Sequence, residues 1–267
     1  MRILAIGDPH GDLSKIKKIP LKGVDLILLT GDLGKADLAR KRYFENVERE
    51  KRGLPKLEDT LKFNKECYMQ IYNSSIRVLK YLSKFAPVYI IFGNVESHDF
   101  ETRKMERKLG LKLPKFVKNV KMIKGVYIIN NKLRNFNGVM IGGLEYFIDV
   151  SWIKEFKPSN YGYNLNGARK DTKKARAILS RFKELDILVC HQPPYGILDK
   201  VTAKFAPKNW QGKPAGSKVI LEYIKKEQPR YVFCGHIHEG KGYKKIGKSE
   251  VYNFGVCGYK IVEIGKD

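Results

Sequence analysis

Cysteine is scarce in this chain, and the few cysteines present are scattered. No CxxC pair occurs, which argues against a thiolate zinc site. Three of the four lie in or beside apolar runs, so buried free thiols are favoured, with disulfides as the alternative. The cysteines are Cys67, Cys190, Cys234 and Cys257.

Long hydrophobic runs are also missing. The stretch from Ile3 to Ile6 is too short for a signal-peptide core, and no later run approaches the roughly 18 apolar residues of a membrane span. No linker rich in serine, glycine or proline interrupts a chain that is 43% hydrophobic. We therefore predict a cytoplasmic protein with no membrane partner, in which residues 1–267 form a single domain.

Acidic residues are few relative to basic ones. The chain has 52 Lys and Arg against 28 Asp and Glu, a formal net charge of +24. A positive surface attracts polyanions, which favours a phosphate-bearing substrate, and nucleic-acid contact is one interpretation. The alternative is a solvated lysine-rich face, as is common in heat-adapted proteins. Basic residues recur over positions 15–22, 115–124, 169–176 and 241–248.

The sequence does contain one repeated local pattern: five apolar runs each stop just before a residue that can bind a metal ion. Parallel strands present their carboxyl ends at one edge of a sheet, where ligands and catalytic groups collect. Four of the five histidines fall in these junctions. The pattern therefore predicts a metal centre at that edge. The runs are residues 2–6, 24–30, 87–92, 186–190 and 230–234.

Apolar spacing and helix breakers predict the elements between these runs. One or two helices are expected between residues 35 and 85, divided by Gly53-Leu54-Pro55, and a short helix over 99–109 ends at Gly110. Further helices are predicted over about 169–182 and over 218–227. Residues 145–163 are interpreted as an aromatic, irregular loop.

The remaining segments are predicted as strands. Residues 126–130 and 139–142 resemble a β-hairpin joined through the Asn135-Phe136-Asn137-Gly138 turn. Residues 250–254 and 259–264 are expected to close the chain as two more strands. Early and late βα units surround the central hairpin. This order suggests two sheets packed face to face with helices outside.

The junction residues offer a mixed set of ligand atoms, namely carboxylate and amide oxygens and imidazole nitrogens. This mixture suits two transition-metal ions, such as manganese, iron, cobalt, nickel or zinc, better than calcium or magnesium. Two such ions roughly 3.5–4 Å apart can hold a hydroxide and polarise a phosphate. The predicted metal ligands are Asp8, His10, Asp32, Asn94, His191, His236 and His238.

In the order of these blocks the chain resembles the calcineurin-like metallophosphoesterase superfamily. The signature D-x-H, G-D, G-N-H-[D/E], H and G-H-x-H corresponds to Asp8-Pro9-His10, Gly31-Asp32, Gly93-Asn94-Val95-Glu96, His191 and Gly235-His236-Ile237-His238. The resemblance implies an α/β fold, a four-layer α/β/β/α sandwich of two mixed sheets. It also implies that one metal is held by Asp8, His10, Asp32 and His238, and the other by Asp32, Asn94, His191 and His236.

One block departs from the signature at Val95, where many relatives carry a histidine. In those relatives the histidine is thought to protonate the leaving oxygen or to stabilise the transferring phosphoryl group, while the neighbouring acid, here Glu96, orients it. General acid catalysis contributes about 10²–10⁴-fold, so its loss should affect esters with poor leaving groups most. Some branches of the superfamily also replace this histidine, and several of those cleave diesters.

We therefore predict a metal-dependent phosphodiesterase that acts on a nucleotide or nucleic acid through a metal-bridging hydroxide. One alternative is a broad-specificity phosphomonoesterase. Another is a non-catalytic basic scaffold that uses the same fold to bind nucleic acid or protein. Retention of all seven ligand positions argues against the scaffold, because a pure binder has no chemical need for them.

His98 is the one histidine outside the ligand set, four residues beyond Asn94. If a helix begins at once, its side chain points back toward the site and substitutes for the missing acid. The alternative is a partly exposed histidine near a helix start. The predicted catalytic residues are Asp8, His10, Asp32, Asn94 and His98.

Aromatic residues in the predicted long loops are candidates for stacking a base beside the site, and Arg169 and Lys170 follow them in sequence. Anchoring of the loops to the core is the alternative role. The aromatic candidates are Trp152, Tyr161, Tyr163 and Trp210.

Overall fold

Strands and helices alternate through most of the computed structural model, which describes residues 1–158, 161–204 and 206–265. The strands are β1 (Arg2–Ile6), β2 (Leu26–Leu29), β3 (Val88–Ile90), β4 (Val126–Ile128), β5 (Lys132–Phe136), β6 (Val139–Leu144), β7 (Ile187–Cys190), β8 (Tyr231–Cys234), β9 (Gly242–Ile246), β10 (Ser249–Asn253) and β11 (Tyr259–Glu263). The α-helices are α1 (Leu13–Ile16), α2 (Asp37–Lys51), α3 (Leu61–Leu82), α4 (Asp99–Leu109), α5 (Phe116–Lys121), α6 (Val150–Phe156), α7 (Tyr161–Leu179) and α8 (Lys218–Glu227). Two 3₁₀ turns span Lys208–Trp210 and His238–Gly240.

The strands form two mixed sheets. The first has the order β11-β1-β2-β3-β4, with β11 antiparallel to β1 and the others parallel. The second has the order β5-β6-β7-β8-β10-β9, with antiparallel strands at both edges. Each of the five runs predicted from the sequence contains a parallel strand. The carboxyl ends of β1, β2 and β3 therefore lie at one edge of the first sheet, and those of β7 and β8 lie at one edge of the second.

Alternation along the strands builds the four layers. In β1, Ile3 and Ala5 pack between the sheets with Phe233 of β8, while Leu4 and Ile6 pack on the opposite face with Leu79 of α3. Side chains alternate faces in a strand, so a run that is apolar throughout is buried on both sides. A third cluster packs α7 and α8 on the outer face of the second sheet. The predicted four-layer α/β/β/α sandwich is confirmed.

Helix boundaries follow the predicted breakers in most places. The segment before β3 forms two helices separated at Gly53, and Gly110 ends α4 in the left-handed conformation. Ser217 caps α8 by accepting a hydrogen bond from the Ile220 N–H at 3.2 Å. These local signals were sufficient because each combines an apolar periodicity with a residue that stops it.

The predicted hairpin was wrong in one of its strands. β4 pairs in parallel with β3 in the first sheet, whereas the hairpin joins β5 to β6 in the second. Its two-residue turn consists of Asn137 and Gly138, both with positive φ, as the tight hairpin turn requires. The strand β5 was missed because its polar sequence, KLRNF, is mostly exposed at the edge of the sheet.

The predicted loop over residues 145–163 was also wrong, because it contains α6 and the start of α7; residues 159–160 of that segment lie outside the described residues. Asp149 caps α6 by accepting from the Ser151 N–H at 2.8 Å, and it also accepts from the Ser217 hydroxyl at 2.6 Å. A buried carboxylate therefore joins the starts of α6 and α8. Asp149 lies within an aromatic sequence, which concealed this cap. None of the described helices is both long enough and apolar enough to cross a membrane.

Truncation of Phe233 tests the packing between the sheets. The side chain is fully buried between them, so Phe233→Ala should lower the free energy of unfolding by about 3–5 kcal/mol. Phe100→Ala removes the same atoms at a site that is 61% exposed and should change it by less than about 1 kcal/mol. Urea unfolding of both variants measures the difference; equal effects would contradict the assigned core.

Candidate metal centre

Seven predicted ligand residues lie in one continuous group at the carboxyl ends of the parallel strands. Asp8 and His10 follow β1, Asp32 follows β2, and Asn94 follows β3 in the first sheet. His191 follows β7, and His236 and His238 follow β8 in the second. The two sheets thus contribute opposite sides of one cluster.

The first half of the cluster contains Asp8, His10 and His238. The Nε2 atom of His238 lies 3.2 Å from Asp8 Oδ2 and 3.2 Å from His10 Nε2. One carboxylate oxygen and two imidazole nitrogens therefore face a common point. Their ligand atoms all lie within 4.8 Å of one another, so this group could hold a metal ion.

The second half is centred on His191. Its Nε2 atom lies 3.0 Å from Asn94 Oδ1 and 3.5 Å from Asp32 Oδ1. The ring of His236 lies beside it, with centroids 4.9 Å apart. A second group that could hold a metal ion consists of Asp8, Asp32 and His191.

Asp32 connects the two halves. Its Oδ1 faces His191, while its Oδ2 lies 3.8 Å from His10 Nε2. The Val95 N–H donates to Asp32 Oδ1 at 3.0 Å, which fixes the carboxylate in this orientation. A carboxylate with one oxygen toward each half is suited to bridging two cations.

Three of these residues have left-handed backbone conformations, which are costly for residues other than glycine. The φ angles are 42° at His10, 44° at Asp32 and 66° at His236. Backbone hydrogen bonds hold them: the His10 N–H donates to Asp32 O at 2.9 Å, and the His236 N–H donates to Asp8 Oδ2 at 2.6 Å. Strain of this kind is typical of a functional site.

Glycines precede the ligands because the ligand side chains occupy the space where a Cβ atom would be. A Cβ on Gly235 would overlap the carboxylate of Asp8, and one on Gly93 would lie 2.6 Å from His191 Cε1. A Cβ on Gly31 would lie 2.8 Å from His191 Nδ1. The glycines of the sequence blocks therefore allow the ligand side chains to pack closely against the backbone.

Thr30 orients two members of the cluster from behind. Its carbonyl oxygen lies 2.8 Å from His191 Nδ1, and its hydroxyl donates to Asp8 Oδ1 at 2.9 Å. A proton on Nδ1 satisfies the carbonyl, and Nε2 is then the ring atom that faces Asn94 and Asp32. Outer partners of this type usually fix the tautomer of a metal-binding histidine.

Burial and neighbouring charges shift the pKa values within the cluster. Burial opposes ionisation of Asp8, but the His191 charge and hydrogen bonds from His238 and the His236 N–H outweigh it and hold the pKa at about 2. Burial lowers the pKa of His236 to about 3, and burial raises the pKa of Asp32. Asp8 is therefore anionic and His236 neutral near pH 7, and these are the ionisation states that metal ligands need.

Glu96 accepts hydrogen bonds from the backbone of the site. It is buried, and its two oxygens accept from the Leu33 N–H at 2.6 Å and the Gly93 N–H at 2.9 Å. Burial and the nearby Asp32 charge raise its pKa to about 7. Glu96 thus connects the loops that follow β2 and β3.

His98 lies in a different environment from the seven ligands. It is the N-cap residue of α4, its Nε2 lies 2.7 Å from Glu145 Oε2, and its ring packs on Phe92 and Phe100. The bond to Glu145 is the largest of the effects that raise its pKa. His98 is not among the residues that line the cavity beside the cluster. This geometry does not favour His98 as a substitute acid.

Tyr146 is a neighbour of the cluster that the sequence analysis missed. Its ring centroid lies 5.7 Å from that of His191 and 5.3 Å from that of His236, and burial raises its pKa to about 12. Tyr146 follows β6 by two residues. The strand-end rule that found the other residues would have found it, had β6 been recognised as a parallel strand.

A cavity of about 1240 Å³ opens beside the cluster. It is bordered by Val95, by α2, and by Trp152 of α6 and Trp210 of the first 3₁₀ turn. Tyr161 and Tyr163, also predicted as candidates, do not line it. They lie with Arg169 and Lys170 on α7, the helix that replaces the predicted loop.

The two-sheet α/β sandwich thus carries carboxylate, amide and imidazole groups at its carboxyl edge, where they could hold metal ions. The chain belongs to the calcineurin-like phosphoesterase family, whose model matches residues 1–240. Membership in that family supports a metal-dependent hydrolase acting on phosphate esters.

Curated relatives agree with this assignment. Metallophosphoesterase domain-containing protein 1 of Homo sapiens is 34% identical over 107 residues, which cover 38% of this chain and 29% of that protein. UPF0046 protein T07D4.2 of Caenorhabditis elegans is 24% identical over 262 residues, which cover 96% of this chain and 56% of that protein. The chain therefore matches only part of the length of each relative.

Solved structures share the fold. One crystal structure superposes with a TM-score of 0.57 at 15% identity, covering 99% of both chains. Phosphopantetheinyl hydrolase from Mycobacterium tuberculosis superposes with a TM-score of 0.51 at 14% identity, covering 96% of this chain and 89% of that one. At these identities the likeness concerns the fold alone.

Gly235→Ala tests whether the glycine contacts shape the cluster. The new methyl group would displace the Asp8 carboxylate, so we expect the affinity for manganese or zinc to fall by about 10- to 100-fold, as when outer partners of a metal are disturbed. Gly167→Ala is the matched control, because no atom lies within 4 Å of its Cβ position. Calorimetric titration of metal-stripped protein measures both; unchanged affinity in Gly235→Ala would contradict the packing argument.

Proposed function

We propose that this chain is a metal-dependent phosphodiesterase that cleaves phosphodiester bonds in a nucleotide or nucleic acid. The observation that carries the proposal is the pair of ligand groups joined by Asp32 at the margin of a large cavity. We also infer that residues 1–267 act as one domain, because β11 completes the first sheet beside β1.

The donor set fits two divalent transition-metal ions. Mixed oxygen and nitrogen ligands suit manganese, iron, cobalt, nickel or zinc. Neighbouring nitrogen lone pairs, such as those of His10 and His238 at 3.2 Å, gain a common partner when a cation lies between them. In this assignment one ion is held by Asp8, His10, Asp32 and His238, and the other by Asp32, Asn94, His191 and His236.

Two such ions, when bound, supply positive charge that polarises a phosphate and activates a water molecule. The chain itself contributes orientation. Thr30 holds the tautomer of His191, and the Val95 N–H holds Asp32 so that its oxygens face both halves. Glu96 fixes the backbone beneath these residues, so the cluster is organised before substrate binds.

Val95 supports a diester over a monoester. A monoester has three non-bridging oxygens, whereas a diester has only two, and its third position carries an organic substituent. Val95 lines the cavity beside Asn94 and offers apolar contact but no hydrogen bond. The Val95 side chain would leave the third non-bridging oxygen of a monoester without a hydrogen-bond donor, whereas it can contact the organic substituent of a diester.

The net charge of the chain, +24, supports a nucleotide or nucleic-acid substrate. The cavity lining carries both signs, because it includes Lys15, Lys35, Arg40 and Arg77 as well as the acidic residues Asp12, Asp32, Asp37, Asp149 and Glu239. Positive side chains raise the local concentration of polyanionic substrates and speed their association. The alternative functions are hydrolysis of phosphomonoesters and non-catalytic binding of nucleic acid. An activity assay with two model substrates distinguishes them.

Metal-stripped protein should regain activity toward bis-p-nitrophenyl phosphate when manganese, nickel, cobalt or zinc is returned, with p-nitrophenyl phosphate hydrolysed more slowly. Asp32→Asn should reduce turnover to background, because an amide offers one oxygen where the carboxylate offers two. Release of p-nitrophenolate measures both. Preference for the monoester would replace the diesterase with a monoesterase, and inactivity with every metal would favour a binding scaffold.

Val95→His tests the missing acid. An imidazole at this cavity-lining position should raise turnover of phenyl phosphate, whose leaving group is poor, by roughly 10²-fold, the lower range of general acid catalysis. The gain should be smaller for p-nitrophenyl phosphate, whose leaving group needs less protonation. Val256→His is the control, because it places an imidazole at another valine of the same cavity. Equal monoesterase rates in both variants and the parent protein would contradict the role assigned to this position.

A further inference from the structure

An apolar cluster borders the cavity directly beside the metal ligands. Its aromatic members are Trp152 and Phe156 of α6 and Trp210 of the first 3₁₀ turn, and Ile237 packs against them. We call these four side chains the aromatic wall. Trp152 and Trp210 line the cavity and are half-buried, whereas Phe156 is only 2% exposed. Phe156 is buried, so its position is explained by packing within the protein. The two tryptophans differ, because no described residue covers the surface that they present to the cavity.

The rings of the aromatic wall pack against one another. Phe156 lies behind both tryptophans, with its ring centroid 5.3 Å from that of Trp152 and 5.0 Å from that of Trp210. The tryptophan rings meet edge to face at 5.6 Å. Trp152 and Phe156 are four residues apart in α6 and so lie on one face of the helix. A ring that binds here therefore meets a surface that needs little rearrangement.

The wall is also fixed relative to the metal ligands. Ile237, one of its members, lies between His236 and His238 in the chain. Glu239, the next residue, accepts a hydrogen bond from the Ala203 N–H at 3.0 Å and so holds the loop that leads to Trp210. A phosphate at the cluster would therefore share its cavity with the aromatic wall.

One further contact attaches that loop to α6, because Lys213 Nζ lies 3.2 Å from Glu155 Oε1. Within the loop, the side-chain amide of Gln211 donates to Ala203 O at 2.6 Å and to Ala206 O at 3.1 Å. The two tryptophans come from segments about 60 residues apart in sequence, yet these contacts hold them as one surface.

We propose that the aromatic wall is the subsite for a planar aromatic base on the substrate, and that it sets the preference of the enzyme for nucleoside phosphodiesters over diesters with small alkyl groups. The inference rests on the proposed function, which places the phosphate at the metal ligands. Stacking on tryptophan suits any base, because every base has a π face. The subsite therefore selects for a base without selecting among bases.

Two chromogenic diesters test the preference. Thymidine 5′-(p-nitrophenyl phosphate) and methyl p-nitrophenyl phosphate share a leaving group and differ only in the nucleoside. We expect kcat/KM of the metal-loaded protein to be about 5- to 150-fold higher for the thymidine ester, the range for stacking one base. Trp152→Leu should remove most of that ratio while leaving hydrolysis of the methyl ester intact. Tyr163→Leu, at a position that is 85% exposed and outside the cavity lining, should retain it.

The outcomes separate the two proposals. Metal-dependent hydrolysis of both esters at equal efficiency would overturn the subsite and leave the phosphodiesterase standing. Loss of methyl-ester activity in Trp152→Leu would also overturn it, because the residue would then be needed for folding or for the metal cluster. Hydrolysis of neither ester by the parent protein would be a failure of the proposed function.

A binding measurement tests the subsite independently of turnover. The chain has two tryptophans, and both lie in the aromatic wall, so its tryptophan fluorescence reports on this surface alone. Adenosine 5′-monophosphate should quench that fluorescence and bind about 5- to 150-fold more tightly than ribose 5-phosphate, which has the same phosphate but no base. Equal affinities for the two compounds, or an unchanged fluorescence on binding of the nucleotide, would overturn the subsite.

Discussion

The buried carboxylate of Asp8 is the group around which the rest of the molecule is arranged. It has no solvent exposure, and its hydrogen bonds come from Thr30, which follows a strand of its own sheet, and from the backbone of His236, which follows a strand of the other. A buried charge is costly unless it is paired and hydrogen-bonded. The relative position of the two sheets is therefore constrained, because Asp8 receives hydrogen bonds from both of them. The core between the sheets provides the apolar burial that offsets this requirement.

The same requirement explains why strain is concentrated here. His10, Asp32 and His236 adopt left-handed conformations, and the glycines before Asp32 and His236 leave no room for a side chain. Each distortion brings a ligand atom toward the centre of the cluster. Strained positions persist where the surroundings determine them fully, and the hydrogen bonds of Glu96 and Thr30 do so from outside the cluster. The backbone strain of these loops is thus a property of the site, and the layers on both sides hold the loops in place.

Much of this arrangement was predictable from the sequence, for a physical reason. A parallel strand buried on both faces is apolar throughout, so its end is marked sharply when Asp8, Asp32 or His191 follows. The polar edge strand β5 carries no such mark, and consequently β4 was assigned to the wrong partner. The cap at Asp149 was hidden because its second partner, Ser217, lies 68 residues away. The contact between Trp152 and Trp210 joins distant segments, which local patterns do not encode, and Tyr146 was missed together with the parallel strand β6 that it follows. The metal identity and the cytoplasmic location stay predictions.

The pairing of β1 with β11 has a consequence for the order of folding. Arg2 lies opposite Glu263, and the Gly7 N–H donates to the Gly258 carbonyl at 2.8 Å, just before Asp8. Contacts between residues so far apart in sequence form slowly, because a long loop must close first. During synthesis β1 emerges long before β11, so its outer edge stays uncovered until β11 is available to pair with it. Until then the outer edge of β1, which is apolar from Ile3 to Ile6, is uncovered, and an uncovered edge of this type associates with other chains. Protection of this edge therefore comes late, because β11 emerges after His238, the last of the predicted metal ligands.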